Sequence, residues 1–119
     1  MGVRLTAHQL RNVVVIEIVG RLTVLDQTLR ESIHQFLKSG ERQFILKMSE
    51  LSYIDSCGLG ELLSVYASIR NLGGDLRILT PSARVRELLH ITKLDTVFEI
   101  LEDAAPFANN TAASNAMTV

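Results

Sequence analysis

The sequence predicts a single mixed α/β domain: a sheet of about four to five strands, with three to four helices mainly on one face. Three observations predict it. Residues 13–19 form a β-branched run broken only by Glu17, which favours a pleated, half-buried conformation. Further strand-like runs then alternate with segments whose apolar residues recur at helical spacing. Glycine, aspartate and proline punctuate the boundaries, and alternation of this kind implies parallel neighbours joined by right-handed crossovers.

Residues 3–9 read as the first strand, with Val3, Leu5 and Ala7 alternating with polar neighbours, and Asn12 marks a turn. The second strand would put Val14, Ile16 and Ile18 on one face and Val13, Val15, Glu17 and Val19 on the other, with Gly20 closing it. The link between these two strands is too short for a crossover, so they should pair antiparallel. Asp26 stands where a helix N-cap belongs. Leu29, Ile33, Phe36 and Leu37 follow as one apolar face, and Gly40 suits the left-handed position after the helix. Residues 44–48 are a buried-type strand. A helix after Ser56 carries Leu59, Leu62, Leu63, Tyr66 and Ile69, and ends at Gly73-Gly74. Residues 76–79 are another strand. Pro81 is expected at the first position of the next helix, whose stripe is Val85, Leu88 and Leu89. Residues 97–101 are a last strand. A short helix near 102–108 is limited by Pro106, and 109–119 read as a disordered tail of Ala, Asn, Thr and Ser. The domain is therefore expected over 1–108.

Composition excludes several function classes. The 119 residues are 47% apolar, enough for one core. The formal net charge is −1 and the basic residues are scattered, which leaves no nucleic-acid footprint. One cysteine allows no internal disulfide and fits a reducing compartment. No apolar run reaches the length of a bilayer span, and the N-terminus lacks a signal-peptide pattern, so a cytoplasmic location is expected. His8, His34 and His90 are dispersed, without ligand spacing, so no metal is expected. No phosphate-loop glycine motif occurs, and no cofactor is expected.

The run Leu51-Ser52-Tyr53-Ile54-Asp55-Ser56-Cys57-Gly58-Leu59-Gly60 carries the most information. It puts a hydroxyl, Ser56, between a strand-end turn and the first turn of a helix. A helix start offers unsatisfied N–H groups and partial positive charge, and both stabilise a phosphate. Ser56 is thus either a helix cap or a charge switch. Gly58 and Gly60 cost helix propensity; they either let a partner approach a bare backbone or let the helix pack tightly on the sheet. Asp55 either orients the Ser56 hydroxyl or bonds backbone amides in the turn. Cys57 is either a small filler or a thiol made reactive by the helix end.

With Gly20-Arg21-Leu22, Leu46-Lys47-Met48, Gly73-Gly74, Pro81-Ser82-Ala83 and Val85 in the same order, the Asp55–Gly60 motif resembles the signature of STAS domains. The likeness runs over residues 3 to about 103 and is strongest to single-domain anti-sigma-factor antagonists. The resemblance implies a STAS-like sheet and a binding switch that is not an enzyme. Such an antagonist binds an anti-sigma factor that is also a serine kinase of the histidine-kinase-like ATPase type. It is switched off when the serine matching Ser56 is phosphorylated, and a serine phosphatase resets it. The partner surface would lie around residues 21–27 and 55–62: Arg21, Thr23 and Asp26 on one side, and Asp55, Ser56, Cys57, Gly58, Leu59, Gly60 and Glu61 on the other. The chain itself is expected as a monomer or weak dimer. Thr23 and Lys47 stand where many switchable relatives carry acidic or amide side chains. Altered kinase recognition and an unphosphorylated member therefore both stay open. So do a scaffold subunit in a signalling or lipid-transport complex, an anion or nucleotide binder, and, more remotely, a cysteine enzyme.

Overall fold

A computed structural model describes residues 3–23 and 28–102. In chain order it has β1 (Val3–Leu10), β2 (Val13–Leu22), α1 (Thr28–Lys38), β3 (Gln43–Lys47), β4 (Leu51–Ile54), α2 (Ser56–Asn71), β5 (Asp75–Leu79), α3 (Ala83–Ile91), a 3-10 turn (Leu94–Thr96) and β6 (Glu99–Leu101). Six strands form one sheet in the order β1-β2-β3-β5-β6, and β4 also pairs with β2. The β1–β2 pair is antiparallel, as the short link requires, and the remaining pairs are parallel. The left-handed position of the β1–β2 turn falls on Arg11 (φ 60°), one residue before Asn12.

The strand count is one above expectation because Leu51–Ile54 is a strand as well as a lead-in to the helix. Its origin lies in β2. Gly20 does not close β2; at φ 113° it carries a bulge where the register shifts, and β2 continues to Leu22 against β4. Past the bulge, Gly20 N donates to Glu50 O at 3.1 Å, and Ser52 Oγ donates to Gly20 O at 2.9 Å. One long strand thus holds β3 with its first half and β4 with its second.

Val14, Ile16 and Ile18 are fully buried, as the alternation predicts. They join Phe44, Leu46, Leu76 and Ile78 in one cluster with Leu29, Ile33 and Leu37 of α1, Leu62, Val65 and Ile69 of α2, and Val85 and Leu89 of α3. The buried side chains of all three helices therefore lie on one face of the sheet. The other face carries a smaller cluster of Val15, Ile45 and Leu79, beside a Lys47–Glu17 ion pair at 3.9 Å.

Two helices end on glycine in the same way. Gly40 N bonds Leu37 O and Glu41 N bonds Phe36 O after α1; Gly73 N bonds Arg70 O and Gly74 N bonds Ile69 O after α2. Both are Schellman closures, with Gly40 (φ 98°) and Gly73 (φ 84°) left-handed. Pro81 does not open α3. Ser82 caps it, accepting from Val85 N at 3.3 Å and donating to Leu51 O at 2.8 Å, so the proline precedes the cap. The last strand begins at Glu99 because a 3-10 turn occupies residues 94–96; it buries Phe98 edge-on against Tyr66 at 5.0 Å. Beyond β6, Arg86 forms a two-pronged pair with Glu102 at 2.8 and 2.9 Å, and that hydrogen bond raises the Arg86 pKa. The helix expected near 102–108 and the tail at 109–119 lie outside the described residues.

Candidate functional site

Every crossover brings the chain from the carboxyl end of a parallel strand into a helix on the same face. The starts of α1, α2 and α3 therefore share one rim, and Ser56 stands on it as the first residue of α2. The cap is not Ser56 but Asp55. With extended backbone (φ −107°, ψ −175°), its carboxylate accepts from Gly58 N at 2.8 Å. A side-chain cap of this kind contributes about 1 kcal/mol. The Ser56 side chain is left exposed, and its hydroxyl makes no hydrogen bond among the described residues.

The two glycines divide the roles the sequence left open. Gly58 is buried, and a Cβ there would lie 2.2 Å from Leu22 O, 2.9 Å from Leu22 C and 3.1 Å from Ile54 Cγ1. It is the point at which α2 touches the end of β2. Gly60 is exposed, and a Cβ there would meet nothing within 4 Å. Gly58 is a packing residue, whereas Gly60 leaves bare backbone on the surface.

The remaining site residues separate by burial. Cys57 is exposed, Asp55 and Thr23 are half-buried, and Leu59 is in the core. Asp26, expected as the α1 cap, lies outside the described residues; α1 begins at Thr28. Glu61 is 6% exposed and is the buried charged residue of the described core. Its Oε2 accepts from Arg30 N at 3.2 Å, an amide in the first turn of α1 that an N-cap side chain commonly takes. A carboxylate on α2 thus ties down the start of α1. Glu61 stands on the buried side of the helix and not at the surface where a partner contact was expected. Replacing Glu61 with leucine keeps the volume but removes the acceptor. Expected are a loss of about 1–3 kcal/mol and faster hydrogen exchange at the Arg30 amide, with Glu61→Gln retaining most of the protection.

Arg21 is exposed at the end of β2, and its guanidinium carbon sits 4.2 Å from the centre of the Tyr53 ring. The two are direct register partners across β2 and β4. Sequence reasoning named Arg21 and missed Tyr53, because the pairing exists only once Leu51–Ile54 is known to be a strand. Of the candidate residues, Arg21, Ser56, Cys57 and Gly60 are exposed and Asp55 and Thr23 half-buried, whereas Gly58, Leu59 and Glu61 are buried. No helix among the described residues is long and apolar enough to cross a membrane.

Comparison with known proteins finds relatives of the same family and fold. A putative anti-sigma factor antagonist homolog of Thermotoga neapolitana is 32% identical over 68 residues, covering 57% of this chain and 60% of that protein. The match thus spans less than two thirds of that relative. The anti-sigma-B factor antagonist of Bacillus subtilis is 28% identical over 101 residues, covering 84% of this chain and 92% of that one. The solved structure of the Bacillus protein SpoIIAA in its phosphorylated form superposes with a TM-score of 0.70 at 21% identity, over 89% of this chain and 98% of that one, a likeness of fold. The profile of the STAS domain matches residues 4–111, so the chain belongs to the STAS domain family.

Proposed function

We propose that this chain is an anti-sigma-factor antagonist. It binds an anti-sigma factor that is also a serine kinase of the histidine-kinase-like ATPase type, and it is released when that kinase phosphorylates Ser56. Transcription by the freed sigma factor is then controlled by a serine phosphatase that restores the hydroxyl. One observation carries the reading: Asp55 has taken the capping role, and Ser56 is exposed and unengaged at the start of a helix. The names of the relatives support the binding class.

The physics of the switch is simple. Phosphorylation adds about −1.5 to −2 charges. At a free surface this charge is hydrated and faces the amides of the first turn. Under a closely packed partner it loses that water beside the Asp55 carboxylate, which lowers affinity. The cap bond from Asp55 does not depend on the Ser56 hydroxyl, so the fold survives modification.

The test is incubation of the chain with a cognate serine kinase of the histidine-kinase-like ATPase type and ATP, followed by intact mass and phosphosite mapping. One phosphate on Ser56, and none in Ser56→Ala, is the expected result. Label confined to other residues overturns the proposal.

A further inference from the structure

We propose that Arg21 is the internal partner of the phosphate on Ser56: its guanidinium leaves the Tyr53 ring when Ser56 is phosphorylated and pairs with the phosphoserine dianion. The inference rests on Ser56 being the modified residue and adds a device inside the same molecule.

Three observations carry it. First, among the described residues Arg21 is a cation without a carboxylate. Among the described residues it forms no ion pair, and its guanidinium is held only over the Tyr53 face, at 4.2 Å. A cation–π contact at an exposed site is weaker than a charge-assisted, two-pronged arginine–phosphate pair, so the exchange runs toward the phosphate. Second, the nearby carboxylate is already engaged, since Asp55 accepts from Gly58 N at 2.8 Å. Among the described residues, neither Asp55 nor another acidic side chain claims Arg21 first. Third, the connectivity brings the two groups within reach. Arg21 pairs with Tyr53 and Leu22 with Ile54, and Ser56 follows two residues later. With strands about 4.8 Å apart and a rise of about 3.3 Å per residue, the two Cα atoms lie roughly 11 Å apart. An extended arginine and a phosphoserine cover that span between them. Gly58 lies on the Leu22 carbonyl, so the first turn of α2 closes over the core face at the end of β2; Arg21 alternates with Leu22 onto the opposite face, and its side chain would reach Ser56 around the rim of the sheet.

The consequence is a double change at one surface. Phosphorylation adds negative charge and also withdraws the exposed cation. A partner that presents a carboxylate to Arg21 then loses that contact while it meets the phosphate.

The experiment needs no kinase. Phosphoserine is installed at position 56 of the full chain during translation by codon suppression, in wild type, Arg21→Ala and Arg21→Lys. The phosphate is titrated by 31P NMR. An opposite charge nearby favours the dianion, so its second pKa is expected about half a unit or more lower in wild type than in Arg21→Ala, with Arg21→Lys between them. The Tyr53 ring resonances are expected to shift on phosphorylation in wild type and to stay fixed in Arg21→Ala. Equal titration midpoints in wild type and Arg21→Ala, or a Tyr53 ring that does not respond, overturn the proposal. A chain that no kinase modifies defeats the proposed function but leaves this titration readable.

Discussion

Replacing Gly58 with alanine is expected to cost about 2 kcal/mol or more, although alanine is the better helix former. In an open helix the exchange would gain about 1 kcal/mol. Here the new Cβ would lie 2.2 Å from Leu22 O and 2.9 Å from Leu22 C. Neither atom can yield easily, because Leu22 is paired with Ile54 and is itself fully buried. Forced overpacking in such surroundings typically costs 1–3 kcal/mol, occasionally more. Gly60 supplies the control from the same turn. Its Cβ would meet nothing within 4 Å, so Gly60→Ala is expected to leave stability unchanged or raise it by up to about 1 kcal/mol. Urea melts of the two variants should move in opposite directions at similar slope. Equal midpoints would mean that α2 does not sit against the end of β2 as described.

The second large effect is on binding. Phosphoserine at position 56, or the weaker mimic Ser56→Asp, is expected to reduce affinity for the kinase partner at least 100-fold, a change of about 2.7 kcal/mol. Thermal stability should move little, since Asp55 keeps its bond to Gly58 and the anion faces the first turn of α2. Ser56→Ala should bind like wild type and ignore ATP. Calorimetric titration of the three forms, with melting curves on the same samples, separates the switch from simple unfolding. A loss of binding that tracks a fall in melting temperature would argue against it.

Much of this fold was legible because its signals were long and repeated. Residues 13–19 announce a strand through β-branching, and Leu29, Ile33 and Leu37 announce a helix face; all these helix residues are buried. The position of Ser56 at a helix start was legible too. What the sequence hid depended on contacts between segments. Leu51–Ile54 has only four residues, too few for alternation to stand out, and becomes a strand because the Gly20 bulge offers it an edge. That Asp55 bonds an amide of the turn was one of two readings left open; that it, and not Ser56, is the cap was not decided, because serine and aspartate stand side by side and both cap helices well. The stripe read from Leu59 holds at Leu59, Leu62 and Ile69, all buried, but the buried face also takes in Gly58, Glu61 and Val65. A glycine and a glutamate do not look like core residues, so nothing in the pattern marked Glu61 as buried. Glu61 is tolerated inside because its carboxylate meets the Arg30 amide on the neighbouring helix.

The shared direction of α1, α2 and α3 has an electrical consequence for the whole molecule. Each helix carries the equivalent of roughly half a positive charge at its start and half a negative charge at its finish. Three such axes, side by side and pointing the same way, add into one moment across the domain, even though the formal net charge is only −1. An approaching protein with an acidic patch would be turned toward the rim before touching it, within a screening distance of about 8 Å at physiological salt. Association should therefore slow as salt is added, while dissociation changes much less.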